Sequence, residues 1–318
     1  MPRILGPTAA AIDEAARALL DRRLVAFPTE TVYGLGGLAS DGEAVASIYR
    51  AKGRPAHNPL ILHVVDTSAA RLLGSFDQRA EAVASAFWPG PLTLVLTRLP
   101  GAGVAPGATT GLGTVAIRVP SHPVAQALLH VVAAPVAAPS ANPSGRVSPT
   151  TAEHVAADLG EAVTLVLDGG PCAVGLESTV VDLSGQRPRL LRPGGLPRAR
   201  LVTLLGDLEA AADAERPTSP GQLASHYAPR LPVRLDATDA APDEALLAFG
   251  PDIPPGAMVV RNLSPTGNPA EAARNLFAML RELDRSGAVR IAVMPIPGNG
   301  LGEAIRDRLR RAAAPRPG

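Results

Sequence analysis

Short apolar segments alternate with amphipathic helical periods along most of this chain, and proline or glycine interrupts them every few residues. Helical periods run at Ala9–Leu20, from the opening Ser40-Asp41-Gly42-Glu43 to about Ala51, and at 67–73, 78–87, 122–132 and 151–159. Strand-like runs fall at Leu24–Phe27, Leu60–Val65, Leu92–Thr97, Val115–Val119, Leu165–Leu167 and Thr179–Leu183. Such interleaving predicts an α/β or α+β layer fold, and the irregular crossovers argue against a doubly wound sheet or a (β/α)₈ barrel. Thr8 is a candidate cap for the first helix, with Ile12, Ala15, Ala16, Leu19 and Leu20 on one face. Ser40 with Glu43, and Thr150 with Glu153, have capping-box spacing, and Gly53 is placed to close the second helix.

The pattern lapses over 207–230, an acidic, Ala-rich start followed by Pro/Gly turns. The expected organisation is a first domain over 1–206, a linker over 207–230 and a small α/β unit over 231–318. In that last unit Val233–Leu235, Leu246–Phe249, Met258–Arg261 and Ile291–Met294 read as parallel strands, and Asn268–Arg285 and Leu301–Arg311 as helices. Thirty basic and 29 acidic residues nearly cancel, which excludes a bulk basic field but allows a local basic cavity. A single cysteine, Cys172, excludes a disulfide scaffold, a Cys-rich zinc site and an iron–sulfur cluster; it reads as a small buried apolar residue. The first ten residues lack a signal-peptide core, and no apolar run approaches the roughly 18 residues of a membrane span, so a cytoplasmic protein is expected.

Lys52 is the one lysine among the thirty basic residues. Arginine replaces lysine freely on a solvated surface, so either chance left one or a compact ammonium is needed where a guanidinium does not fit. Lys52 and Arg54, two apart in extended backbone beyond the helix end, can point the same way and suit a polyanion; alternatively Arg50 and Lys52 complement the helix C-terminus. No G-x-x-x-x-G-K-[ST], G-x-S-x-G, H-E-x-x-H or G-x-G-x-x-G occurs. Thr29, Glu30 and Thr31 follow a buried strand, where sheet proteins present ligand groups; a turn with satisfied hydroxyls reads the same way. His63 in its apolar strand is by itself a semi-buried histidine. The stretch Ala138-Pro139-Ser140-Ala141-Asn142-Pro143-Ser144-Gly145, with Ser148 beyond it, is either an anion nest or a Pro-rich loop. Arg118 within its strand either faces water or serves a ligand carboxylate or phosphate. Ser219-Pro220-Gly221 and His226-Tyr227-Ala228-Pro229 form either a docked linker or a flap that excludes water.

Taken in order, FPTETVYGLG, the Lys52-x-Arg54 pair with NPL and His63, APSANPSG, LESTVVD and LRPG resemble the YrdC/Sua5 family, the L-threonylcarbamoyladenylate synthases, over about 8–205. The linker and small last domain resemble the longer Sua5 type. The resemblance implies a YrdC-like twisted mixed sheet with helices around a basic concave cavity, plus a small Rossmann-like C-terminal α/β domain. It implies the formation of L-threonylcarbamoyl-AMP and pyrophosphate from L-threonine, bicarbonate and ATP. The product would pass to a separate tRNA threonylcarbamoyl transferase that modifies adenosine next to the anticodon of ANN-decoding tRNAs. It implies catalytic roles for Lys52 and Arg54, and a nucleotide site from these two with Asn58, Ser140, Asn142, Ser148 and Arg192. It further implies a threonine site from Thr29, His63, Arg118 and Ser178, and a lid from His226 and Tyr227. Magnesium is expected on the triphosphate, held by phosphates rather than by a protein ligand set. Direct tRNA binding is allowed but not required, and a monomer or weak dimer is expected. The family's M-K-Y-[KR] linker stretch is here Gln222-Leu223-Ala224-Ser225, which removes its basic charge.

Three other readings compete, one of them a purely structural or regulatory family member, which would hardly need the Lys52/Arg54 and Ser140/Asn142 pairs together. The related domain of hydrogenase-maturation carbamoyltransferases comes with Cys motifs that one cysteine cannot supply. A non-catalytic RNA-binding module calls for surface aromatics among basic residues, and three Tyr and one Trp with no Arg–aromatic stripe argue against it.

Overall fold

The computed structural model describes residues 2–210 and 225–315. The sequence features at Ser219-Pro220-Gly221 and Gln222-Leu223-Ala224 lie outside the described residues.

Eleven strands form one mixed sheet. In spatial order they are Arg3–Leu5, Leu165–Leu167, Val25–Phe27, Gly34–Leu38, Val136–Ala137, Ile61–His63, Thr114–Arg118, Leu92–Thr97, Thr179–Asp182, Arg189–Arg192 and Glu209–Ala210. The middle of this sheet positions the candidate site. Ile61–His63 runs parallel to Thr114–Arg118 with His63 opposite Arg118, and Leu92–Thr97 runs antiparallel to it with Thr93 opposite Arg118. An isolated bridge pairs Gly34 with Ser140 and brings the APSAN loop over the same edge.

The helices follow the apolar periods, with corrections at their ends. Thr8 caps Ala9–Leu20 by accepting from Ala11 N, but the buried face is Ala11, Ala15, Ala16, Ala18 and Leu19, while Leu20 is exposed. Asp41 rather than Ser40 caps Gly42–Lys52, accepting from the backbone N–H groups of Glu43 and Ala44. Thr151 rather than Thr150 caps Ala152–Leu159. In each case the aspartate or threonine next to the helix reaches the orphan N–H groups of the first turn. Gly53 closes its helix in the left-handed region at φ 56°.

The glycine-rich stretch after Pro28 forms a strand, Gly34–Leu38, that the apolar runs do not mark. A Cβ on Gly36 would stand 2.9 Å from Phe27 Cε1, so the strand fits because these positions carry no side chain. Within the segment read as a linker, the strand Glu209–Ala210 pairs with Arg189–Arg192.

The second sheet is fully parallel, in the order Val233–Arg234, Arg290–Val293, Glu244–Ala248, Val259–Asn262, with helices Pro269–Leu283 and Leu301–Ala313 packed on it. Its core is shared with the first unit: Val32, Val147 and Leu176 are buried in one cluster with Leu276, Phe277 and Leu280. At Gly175, a Cβ would lie 2.5 Å from Arg274 Cα, so the chain of one unit touches the helix backbone of the other.

Candidate active site

The loop after Val25–Phe27 owes its shape to one hydroxyl. Thr29 Oγ1 donates to Val32 O at 2.6 Å and accepts from the N–H groups of Thr31 and Val32, each at 3.2 Å. This turn holds Thr31 and Glu30 against Arg118, whose Nη1 donates to Thr31 Oγ1 at 2.8 Å and whose Nη2 pairs with Glu30 Oε1 at 2.7 Å. Arg118 therefore faces inward, not water, and its guanidinium is already oriented by a buried carboxylate. His63, its neighbour in register, packs edge-on to Phe27, and its Nδ1 has no hydrogen-bond partner in the protein. Burial, followed by the charge of Arg118, pushes His63 down to about 3.

Lys52 occupies the last helical turn rather than extended chain beyond it, and Gly53 then redirects the backbone to Arg54. The buried Lys52 ammonium donates to Ser140 O at 2.5 Å and to Asn142 O, fastening the APSAN loop. Arg54 donates to Asn58 O at 3.0 Å and to Pro59 O at 2.8 Å. Burial, and then the neighbouring Arg54, holds Lys52 well below the ordinary lysine value; burial brings Arg54 down to about 10. Asn142 Nδ2 closes its own loop through Pro143 O and Arg146 O, each at 2.9 Å. Both side-chain polar atoms of Asn58 are buried without a partner in the protein.

On the opposite wall, Ser178 Oγ lies 2.7 Å from Thr93 Oγ1, and Arg192 donates to Ser178 O at 3.1 Å and Ser178 Oγ at 3.2 Å. Glu177 beside it accepts from Ser148 Oγ at 2.5 Å and pairs with Arg308 Nε at 2.8 Å. Burial raises the Glu177 carboxyl, but Arg308 and Arg192 outweigh it and hold the group below the ordinary value. His226 and Tyr227 close the space from the linker side with rings 4.0 Å apart. His226 is held well below the usual histidine value by burial, then by Arg54, Lys52, Arg192 and Arg308.

The cavity between these groups measures about 40 Å³. Of the residues singled out in the sequence, Thr29, Arg54, His63, Arg118, Ser140, Ser178, Arg192, His226 and Tyr227 line it. Lys52, Asn58, Asn142 and Ser148 are buried but are not among the lining residues; Lys52 and Ser148 bond groups of the wall. The sequence reading offers Glu30 and Thr31 as ligand groups rather than as the pair that orients Arg118, and gives Glu177 no role of its own. Arg308 was missed, although a charged residue between Ile305, Leu309 and Ala312 on an otherwise apolar helix face is a visible signal. Among the described residues no three His, Cys, Asp or Glu side chains come together as a metal site. The arrangement is a small space where cations outnumber free carboxylates, suited to a polyanion beside a carboxylate-bearing ligand.

Residues 17–194 match the family Sua5_yciO_yrdC, described as telomere recombination, and residues 196–314 match Sua5_C, described as threonylcarbamoyl-AMP synthase, C-terminal domain. A threonylcarbamoyl-AMP synthase of Bacillus subtilis (strain 168) is 39% identical, the match covering 96% of this chain and 93% of the relative. One from Pyrococcus abyssi (strain GE5 / Orsay) is 40% identical, over 94% and 93%. The crystal structure of P. abyssi Sua5 complexed with L-threonine superimposes with a TM-score of 0.91 at 37% identity, covering 98% of this chain and 97% of that one. Both halves of the architecture, in the same order and over nearly their whole length, are thus shared, and the chain belongs to the Sua5/YrdC family.

Proposed function

We propose that this protein forms L-threonylcarbamoyl-AMP and pyrophosphate from L-threonine, bicarbonate and ATP, as an adenylyl-transferring enzyme. The observation that carries this reading is the convergence of Arg54, Arg118 and Arg192 on one cavity in a chain similar over 98% of its length to a Sua5 bound to L-threonine. The threonine amine takes up the one-carbon unit as a carbamate, with loss of water. A carbamate oxygen then bonds to the α-phosphorus of ATP, and the bond from that phosphorus to the departing pyrophosphate breaks. The protein's part is alignment and neutralisation of charge on the leaving group.

Arg118, set by Glu30 and Thr31, is placed to clamp the threonine carboxylate, with Thr29, His63 and Ser178 around it. Arg54, Arg192 and Ser140 face the phosphates. Lys52 acts on them through the loop it fastens, with Asn142, Asn58 and Ser148 supporting the wall. Magnesium enters as part of the ATP substrate, held by its phosphates. His226 and Tyr227 line the cavity from the linker side, where they serve as a lid that excludes water from the bound adenylate. The adenylate is a reactive mixed anhydride, which calls for a separate transferase to place the threonylcarbamoyl group on tRNA adenosine. No helix among the described residues is long and apolar enough to cross a membrane; a cytoplasmic enzyme fits its water-soluble substrates.

The test is incubation of purified protein with ATP, L-threonine and ¹³C-bicarbonate, followed by mass measurement of the nucleotide product. A threonylcarbamoyl-AMP mass that rises by one unit with the label is expected. A product without the label, or AMP alone, would sink this reading.

A further inference from the structure

We infer that Arg308, supplied by the second domain, keeps Glu177 from competing with the nucleotide's phosphates for the cavity cations, a role that rests on reading the cavity as the nucleotide site. Glu177 is a carboxylate in the wall of a site proposed to take a polyanion. Left to itself it would repel phosphate and pair with the cations meant for it. Two contacts prevent this: Ser148 Oγ holds Oε1, and Arg308 Nε holds Oε2 at 2.8 Å.

Arg308 is suited to the task. It is fully buried, its Nη1 is anchored on Asp307 Oδ2 at 2.7 Å, and its guanidinium lies 4.9 Å above the Tyr227 ring. It therefore neutralises Glu177 from behind without entering the lined space. Arg192 and Lys52 both feel the Glu177 charge, and they are the groups it would take if Arg308 were absent. Arg281 on the other second-domain helix provides a contrast. It pairs with Asp158 and donates to Val147 O, which attaches the domains without touching a cavity carboxylate. Arg308 is thus a positioning residue: the second domain sets the charge the first presents to its ligand.

Full-length protein is compared as wild type, Arg308→Met, Arg308→Lys, Glu177→Gln and the Arg308→Met/Glu177→Gln double variant. ATP and L-threonine affinities are read by titration calorimetry, so the outcome does not depend on turnover. Arg308→Met is expected to weaken ATP at least tenfold and threonine less than threefold, with Arg308→Lys between it and wild type. In the Glu177→Gln background the same Arg308→Met change is expected to cost less than threefold in ATP affinity, because no carboxylate remains to be released. A tenfold loss in that background, or equal losses for ATP and threonine, would overturn the proposal by making Arg308 a mere cement between domains. If Arg308→Met alone does not fold, the comparison of the double variant with Glu177→Gln decides. Wild-type protein that binds ATP but forms no adenylate sinks the synthase reading and leaves this comparison intact; wild-type protein that binds no ATP overturns both.

Discussion

Lys52 shows why one side chain can resist replacement where every other basic position is arginine. Its ammonium sits between the carbonyls of Ser140 and Asn142, close to Arg54, and is almost fully buried. A tetrahedral ammonium fits that gap; a planar guanidinium brings a fork with more N–H groups than the gap has acceptors. Lys52→Ala removes two charge-assisted hydrogen bonds of about 1.5–3 kcal/mol each and frees the loop. We expect adenylate formation to fall roughly a hundredfold or more, with far-UV circular dichroism unchanged. Lys52→Arg should be nearly as poor. Near-wild-type turnover in either variant would contradict the role assigned to the loop. At Arg118 the expected effect is selective: Arg118→Lys keeps the charge but not the fork to Glu30 and Thr31, so the threonine KM should rise at least tenfold while the ATP KM stays within threefold. Equal rises for both substrates would remove Arg118 from the threonine side.

Helix Gly42–Lys52 is the element that delivers Lys52, and its two ends carry separable predictions. Asp41→Ala should cost about 1 kcal/mol by urea titration, whereas Ser40→Ala should stay within about 0.5 kcal/mol; the reverse order would restore the capping box that the spacing suggests. Gly53→Ala meets no atom within 4 Å, so its cost, about 1–2 kcal/mol, is left-handed backbone strain alone. Helices and long apolar strands were legible because their periods survive in the sequence, as at Leu92–Thr97 and Gln78–Phe87. Gly34–Leu38 was not, since glycine has a poor strand preference and Phe27 and Val136 fill the space its side chains would need. Val136–Ala137 and Glu209–Ala210 are two residues long and carry no period. The site was legible where its groups sit in contiguous motifs. The Glu177–Arg308 pair was not, because its partners lie 131 residues apart and meet only when the domains dock.

At the scale of the whole molecule, two units built on sheets of different topology share one buried cluster, and Arg308 of the second unit bonds Glu177 in the cavity wall of the first. Gly175→Ala would drive a Cβ into the backbone of Pro269–Leu283 and should lower the midpoint of thermal unfolding while also weakening ATP; a variant as stable and active as wild type would mean the contact yields freely. The buried histidines give the molecule an acid limit. Burial, then Arg118, pushes His63 down to about 3, and burial, then the surrounding cations, holds His226 well below its ordinary value. Their unfolded counterparts bind a proton below about pH 6.5, so the folded state keeps its full advantage above that pH and loses it as pH falls toward the folded values. Between pH 6.5 and 5, each should subtract about 1–2 kcal/mol. A urea midpoint that does not move over this range would contradict their burial in neutral form.

Pyrophosphate release from ATP by the purified full-length protein, with L-threonine and bicarbonate omitted in turn, tests the central claim most directly. We expect release only when both are present, in step with threonylcarbamoyl-AMP identified by mass. Release that persists without threonine, or no release from folded protein supplied with magnesium, would contradict the assignment of this cavity to threonylcarbamoyl-adenylate synthesis.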